Sequence, residues 1–125
     1  MQVNSFIFVN RERLCDYKDW DCIQMAGELL EWLGFDNPYK SYAEDYSTEL
    51  GAYRVAKRNF GDLGDVISAG FKEVRTGGII GLVDDPKPAC VLITGRNSAV
   101  GLADRGWRYL PIIKIKRRFD ICRLS

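Results

Sequence analysis

The clearest periodic pattern in the chain runs from Cys22 to Leu33, where apolar residues recur at helical spacing. They occupy positions 22, 25, 26, 29, 30 and 33, so they share one face of a helix. Asp19 or Asp21 can cap the first turn, and Gly34 is placed to end the last one. The sequence therefore predicts a long helix that starts near Cys22 and lies largely buried at the centre of the fold.

The pattern is weaker on either side of this helix. Residues 1–14 contain the apolar run Ser5–Val9, which predicts a short strand or an apolar arm. Further along, Ser47 or Thr48 can cap a second helix that extends to about Asn59. Its inward residues would be Leu50, Tyr53, Val55 and Ala56.

A third, short helix is predicted from Asp62 to Ala69, with Gly70 ending it. From there the pattern changes to short β-rich runs separated by Gly, Asp, Asn and Pro. These runs are Phe71–Val74, Ile79–Val83, Cys90–Thr94, Ser98–Ala103, Trp107–Tyr109, Ile112–Ile115 and Asp120–Leu124. Helices followed by strands with hairpin-length connections favour an α+β fold, in which the N-terminal helices pack on a C-terminal antiparallel sheet.

Length and composition fit one globular domain covering residues 1–125. The chain has 46% hydrophobic and 28% charged residues, which excludes a disordered or low-complexity protein. No apolar run approaches the roughly 20 residues that span a bilayer, so we expect no membrane segment. The first residues have neither a basic region nor a long apolar stretch, so we also expect no signal peptide and synthesis in the cytoplasm.

Charge is unevenly distributed along the chain. Residues 1–65 carry seven basic and twelve acidic side chains, whereas residues 104–125 carry seven basic and two acidic ones. One interpretation is a solvated surface whose two halves attract each other in the fold; the other is an anionic partner or a complementary neighbour in an assembly. The net charge of +1 gives no reason to expect a nucleic acid as partner.

The absence of histidine restricts the possible chemistry. Without an imidazole the chain cannot build a Ser/His/Asp triad, a Cys/His dyad or a histidine-containing metal site by itself. The cysteines, Cys15, Cys22, Cys90 and Cys122, show no Cys-x-x-Cys spacing, so we expect no metal and no cofactor. In a reducing compartment they would be thiols, and Cys90 and Cys122 fit strands as small hydrophobic residues.

Trp20-Asp21-Cys22 is the main catalytic candidate. A thiol in the first turn of a helix faces unpaired backbone N–H groups, which favour the thiolate. The charge of Asp21 has the opposite effect. The alternative is that Cys22 is simply a core residue.

Three other features admit a structural and a functional interpretation. The glycines around Gly77–Val83 and Ala89–Gly95 fit hairpins better than a phosphate loop, since no Gly-Lys-Ser/Thr follows. Tyr39, Tyr42 and Tyr46 lie among acidic residues, so they suit a core or a protein interface rather than base stacking. The basic run Lys114, Lys116, Arg117 and Arg118 fits either a charged edge strand or a patch that binds a phosphate or a partner.

Several short motifs occur in an order that resembles the NlpC-type cell-wall peptidases, which are papain-like cysteine hydrolases. The motifs are Trp20-Asp21-Cys22, Gly34-Phe35-Asp36, residues 46–52, Gly77-Gly78-Ile79-Ile80, residues 91–95 and residues 106–111. The likeness is greatest to a small branch encoded in phage and prophage tail clusters. It implies a papain-like architecture over most of the chain.

The resemblance also assigns roles to individual positions. Cys22 matches the nucleophile, and Gly77-Gly78 stands where active members have Gly-Asp. The histidine position falls near Ala89, which cannot take a proton, and Asn97 or Ser98 stands near the third position. The fold is thus implied, while the sequence argues against the reaction.

Three functions follow from these observations. The first is a non-catalytic structural or assembly component of a phage tail tip or baseplate hub, located in the virion and bound to other tail proteins. The second is a cysteine peptidase acting on peptidoglycan peptides through Cys22, with a base from elsewhere. The third is a small intracellular protein-binding module.

Overall fold

The structure is a computed structural model that describes residues 2–13, 20–40, 48, 51, 54–55, 62–84, 88–103 and 106–121. Three helices precede the sheet: α1 (Gln2–Val9), α2 (Cys22–Trp32) and α3 (Leu63–Ser68). The strands are β1 (Phe71–Val74), β2 (Ile80–Val83), β3 (Ala89–Ile93), β4 (Ser98–Ala103), β5 (Gly106–Pro111) and β6 (Arg117–Ile121). A 3-10 turn, Ile112–Lys114, joins β5 to β6.

The central helix α2 begins and ends where the sequence predicts. The carboxylate of Asp21 accepts a hydrogen bond from the backbone N–H of Gln24 at 2.8 Å, which satisfies a donor at the first turn. After the C-cap Leu33, Gly34 adopts a φ of +91°, a conformation that glycine reaches at little cost. The predicted apolar face is buried through Met25, Ala26, Leu29 and Leu30.

The N-terminal segment is a helix, so the predicted short strand or arm over residues 1–14 is wrong. Val3 and Phe6 are both buried, three residues apart, and the side chain of buried Asn10 donates to the carbonyl oxygen of Phe6 at 2.8 Å. Phe8, which would lie on the same strand face as Phe6, is 64% exposed. The spacing of three and four therefore decides the conformation, because it places Val3, Phe6 and Asn10 on one buried face of a helix.

The third helix is confirmed with its cap. The side chain of Asp62 accepts from the N–H of Asp65, and the side chain of Asp65 accepts from the N–H of Asp62, which forms a capping box. Of the predicted second helix, Gly51, Arg54 and Val55 are helical, and Val55 is buried as expected. Thr48 accepts from the N–H of Gly51 through its hydroxyl. Ser47, Leu50, Tyr53, Ala56 and Asn59 lie outside the described residues.

The six strands form one sheet in the order β1-β6-β2-β3-β4-β5, and every pairing is antiparallel. With the helices before it, this is the α+β class that the sequence predicts. The last strand lies inside the sheet, with Phe119 aligned on Ile80 of β2 and on Glu73 of β1. Arg117 and Arg118, at the start of this strand, therefore do not lie on an edge strand. The interpretation of the basic run as a charged edge strand is wrong for these two residues.

Residues Ile112–Ile115 do not form the predicted strand. Pro111 lacks an N–H and holds φ at −64°, so the β5 ladder cannot continue through it. The chain turns instead, with the N–H of Ile115 donating to the carbonyl oxygen of Ile112 at 3.0 Å. β6 then starts at Arg117, three residues before the predicted run Asp120–Leu124, of which residues 122–124 lie outside the described part.

The sheet buries a different cluster on each face. The main core joins the sheet to the three helices; its largest side chains include Trp20, Phe6, Phe71, Phe119, Met25 and Leu29. A smaller cluster of Val83, Val91 and Ala99 lies on the other face and is covered partly by Ile112 and Ile115. None of the described helices is long and apolar enough to cross a bilayer.

Candidate thiol site at the start of helix α2

Cys22 lies in the first turn of α2, where that helix packs on β3. Its side chain is half-buried against the main core, and the Sγ atom of Cys90 lies 3.0 Å from the carbonyl oxygen of Cys22. Cys90 is 1% exposed, and both residues are free cysteines. The site is thus a pair of thiols that joins the first turn of the helix to the sheet.

The two thiols differ in acidity because they hydrogen-bond to each other. The hydrogen-bonding interaction with the side chain of Cys90 lowers the pKa of the Cys22 thiol; burial and the charge of Asp21 act in the opposite direction. The same hydrogen bond, together with burial, raises the pKa of Cys90 well above its usual value. The pair therefore loses its first proton at Cys22 and keeps the second one on Cys90.

Asp21 shapes the site in two opposing ways. Its buried carboxylate caps α2, which fixes the position of Cys22 on the first turn. Its negative charge raises the pKa of both thiols, which is the opposition that the sequence predicts for Cys22. The cap and the charge come from the same carboxylate, so the group that positions Cys22 also opposes its ionisation.

Trp20 supports the start of the helix through its ring. It is 1% exposed and packs at ring-centroid distances of 6.3 Å on Phe6 and 6.5 Å on Trp107. The guanidinium carbon of Arg13 lies 3.7 Å from the ring centroid. Trp20, the residue before Asp21, is therefore held between α1 and β5.

Ala89, near which the resemblance places the lost base, does not face Cys22. Side chains alternate along a strand, and Ala89 packs with the smaller cluster on the face away from the helices. Cys90 points to the helix face and contacts Cys22. The residue opposite the candidate nucleophile is therefore a thiol, and Ala89 has no part in the site.

Sequence reasoning missed Cys90 as a site residue, although a signal was present. Cys90 and Leu92 alternate with Ala89 and Val91, and the glycine at 95 fixed only the approximate position of the strand. Its apolar neighbours indicated a small core residue, and burial does agree with that. What the local sequence could not indicate was a contact between residues 68 positions apart.

The site contains no histidine, because the chain has none. Ser98, one candidate for the third position, shares a hydrogen bond of 2.7 Å with the hydroxyl of Thr94, next to the β3–β4 turn. Within the described ranges, no group of three or more Cys, Asp or Glu side chains is arranged to hold a metal ion. The chemistry available is that of two thiols and one carboxylate.

The tyrosines do not form a described binding surface. Tyr39 is 1% exposed, and its hydroxyl donates to the carbonyl oxygen of Ile67 at 3.1 Å, so it is a core residue and not an exposed partner contact. Its burial follows from its position between α2 and α3, under Gly70. Tyr42 and Tyr46 lie outside the described residues.

The four basic candidates have separate surroundings. Arg117 makes a two-point contact with Glu73, with two N–O distances of 2.8 Å, and Arg118 donates to the carbonyl oxygen of Gly77 at 3.1 Å. Lys114 and Lys116 are exposed, on the 3-10 turn and just before β6. Arg117 and Arg118 thus serve contacts within the fold, and a partner-binding patch formed by the four residues stays a prediction.

Comparison with known proteins gives one finding. No curated protein and no solved structure shows significant similarity to the chain. Residues 2–121, which include the thiol pair and all six strands, match the family model described as Domain of unknown function (DUF6950), and the chain therefore belongs to that family.

Proposed function

We propose that this protein is a non-catalytic structural or assembly component of a bacteriophage tail tip or baseplate hub, built on a degenerate NlpC-like fold. The observation that carries the proposal is the identity of the residue facing Cys22. In a cysteine peptidase a general base stands there, and here Cys90 presents a thiol whose pKa is raised. A buried thiol that keeps its proton cannot accept the proton of a nucleophile.

The arrangement around the thiol supports the resemblance on which the proposal depends. A buried helix with cysteine in its first turn packs against an antiparallel sheet, and the strand beneath it carries the residue opposite the thiol. This is the placement that the papain-like resemblance implies for nucleophile and base. Loss of the base with retention of the fold fits a domain that serves as a scaffold.

Exposed apolar side chains supply surfaces through which such a scaffold would bind neighbours. Phe8 and Val9 lie at the end of α1, and Tyr109 and Ile113 lie at 81% and 84% exposure on β5 and the 3-10 turn. Among the described strands, β5 lies at the edge of the sheet, a position at which another chain can pair. Aromatic and aliphatic side chains at a sheet edge are the type of surface that protein interfaces bury.

The experiment that tests the proposal is detection of the chain in purified phage particles, with variants of this edge. We expect the wild-type chain to sediment with tails, and Tyr109→Lys with Ile113→Glu to abolish its incorporation. Lys72→Glu, a change on the opposite edge strand β1, is the matched control that should still incorporate. Folding of each variant is checked by circular dichroism. Absence of the wild-type chain from particles would overturn the assembly proposal, and capture of one host protein instead would favour an intracellular binding module.

A second function, a cysteine peptidase of peptidoglycan peptides, is favoured by one specific observation. Cys22 is half-buried rather than enclosed, and its pKa is lowered by the hydrogen bond from Cys90. This proposal predicts cleavage of cell-wall peptides that is lost in Cys22→Ser and retained in Cys90→Ser. Equal activity of wild-type protein and Cys22→Ser would exclude it.

A further inference from the structure

We propose that Cys22 and Cys90 are a redox-sensitive pair, which hydrogen peroxide converts to a reversible disulfide that fastens helix α2 to strand β3. The inference is independent of the assembly role, because it concerns the chemistry of the pair within one chain. It assigns a modification site to these two residues.

The first argument is proximity. The Cys90 thiol donates a hydrogen bond to the carbonyl oxygen of Cys22, with an S–O distance of 3.0 Å. Disulfide formation requires the two sulfurs to come to about 2.05 Å, and this contact places the Cys90 sulfur beside the backbone of Cys22 before any oxidation. The elements that carry them are fixed by the main core, in which Cys90, Met25 and Leu92 are buried.

The second argument is the difference between the two thiols. Cys22 is half-buried at the helix start, whereas Cys90 is 1% exposed, so Cys22 is the more accessible of the two residues to a small oxidant. The lowered pKa of Cys22 supplies the thiolate that reacts with peroxide, and the raised pKa of Cys90 keeps that residue protonated until it is needed. An accessible attacking thiol beside a buried resolving thiol is the arrangement that favours a disulfide over further oxidation.

The reaction proceeds in two balanced steps. The Cys22 thiolate attacks one oxygen of hydrogen peroxide, the O–O bond breaks, and the products are a sulfenic acid on Cys22 and hydroxide, which combines with the proton that Cys22 released on ionisation to form water. The sulfur of Cys90 then attacks the sulfur of Cys22, an S–S bond forms, and the sulfenic hydroxyl leaves as water with the proton of Cys90. Two thiols are oxidised by two electrons in total, and one peroxide is reduced to two waters.

The bond would change the fold in a definite way. The bond would join residues 68 positions apart and close the chain between Cys22 and Cys90 into one loop. The oxidised chain would resist separation of α2 from β3, and the candidate nucleophile would be blocked. A reducing agent would reverse both effects.

The test uses the full chain carrying Cys15→Ser and Cys122→Ser, so that Cys22 and Cys90 are the only thiols. The protein is treated with increasing hydrogen peroxide, blocked with iodoacetamide and analysed by intact mass and peptide mapping. We expect a loss of two hydrogen atoms, one cross-linked peptide pair, and a rise in the thermal midpoint that dithiothreitol reverses.

Single-thiol variants separate the two steps. With Cys90→Ser, the sulfenic acid on Cys22 should persist and be trapped by dimedone; with Cys22→Ser, Cys90 should stay unmodified at the same peroxide dose. Each variant is compared with its parent by circular dichroism, and if Cys90→Ser fails to fold, the time course of the parent itself decides by showing whether a sulfenic acid precedes the disulfide. Oxidation of Cys22 to sulfinic acid without a disulfide, or a disulfide between two chains, would overturn the proposal.

Discussion

The carbonyl oxygen of Phe119 lies 2.5 Å from the point that a β-carbon on Gly78 would occupy, so the backbone of this glycine packs directly against β6. Gly78 also has a φ of +87°. Both facts follow from sheet order, because the chain from β1 to β2 must pass the end of β6, which lies between them. The close contact explains why this position carries no side chain.

Replacement of Gly78 by alanine is expected to destabilise the fold by at least 2 kcal/mol, on the order of the backbone strain plus an unrelieved contact with a carbonyl group. Gly77→Ala is the matched control, since Gly77 also has a positive φ, +70°, but nothing lies within 4 Å of its β-carbon position. Gly77→Ala should therefore cost only the strain, roughly 1–2 kcal/mol. Urea unfolding of both variants measures the difference, and equal losses would contradict the packing argument.

Labelling of Cys22 should report the hydrogen bond from Cys90. Because that bond lowers the pKa of Cys22, iodoacetamide should react with the native thiol at a lower pH than with an ordinary cysteine. Cys90→Ala removes the donor, so the pKa of Cys22 should rise and the labelling rate at neutral pH should fall. Rates are followed by mass spectrometry on the Cys15→Ser/Cys122→Ser background. A midpoint that does not move in Cys90→Ala would contradict the proposed coupling.

The same coupling gives stability a dependence on pH. A lowered pKa for Cys22 means that the native state binds its proton less tightly than the unfolded chain does. Stability should thus rise as the pH increases from the native pKa of Cys22 towards about 8.5, the ordinary thiol value. Above that value the raised pKa of Cys90 acts in the opposite sense, and stability should fall. The double variant Cys22→Ser/Cys90→Ser should lack both changes.

The two effects of Asp21 can be separated by substitution. Asn caps a helix as well as Asp does, so Asp21→Asn should keep the fold while removing the charge that raises the pKa of Cys22. The labelling midpoint of Cys22 should then move to lower pH. Asp21→Ala also removes the cap to Gln24, and should cost about 1 kcal/mol of stability in addition. If Asp21→Asn raised the midpoint, the charge would not be the cause.

Local chemistry in the sequence was sufficient for α2, α3 and most strands, because their caps and glycines act within a few residues. The segment at Ser5–Val9 could not be decided locally, since Phe6 and Phe8 fit a strand as well as Val3 and Phe6 fit a helix. The contact with α2, where Phe6 packs on Trp32 at 5.9 Å, selects the helix. Prediction of the site was incomplete for a similar reason. Cys22 could be identified from its own helix, whereas identifying Cys90 required knowledge of which face of β3 packs against α2.

Tyr39 provides a test of its assignment to the core. Tyr39→Phe removes the buried hydrogen bond from the phenol to the carbonyl oxygen of Ile67. That oxygen still accepts from the N–H of Gly70 at 3.1 Å, so the loss should be small, about 0.5–1 kcal/mol. Tyr39→Ala also removes the ring and should cost about 3–5 kcal/mol. Denaturant unfolding distinguishes these values, and a Tyr39→Ala variant as stable as the wild type would contradict the assignment of Tyr39 to the core.

The ion pair between Glu73 of β1 and Arg117 of β6 should make the sheet sensitive to acid. Its hydrogen bonds from Arg117 lower the pKa of Glu73, so the native state holds the charged form more strongly than the unfolded chain does. The contribution is present above the ordinary pKa of about 4.5 and is lost as the pH falls through the lower native value. Because both groups are exposed, salt should weaken it.

Glu73→Gln should therefore lower the urea midpoint at pH 7 and low ionic strength, and the difference from wild type should shrink in about 1 M salt and towards pH 3. Glu28→Gln is the matched control, since Glu28 pairs with Arg13 at 2.9 Å away from the sheet. If Arg117 were instead held ready for an anionic partner, its release from Glu73 would cost the fold nothing. A midpoint of Glu73→Gln that equals the wild type at pH 7 in low salt would favour that role over a structural one.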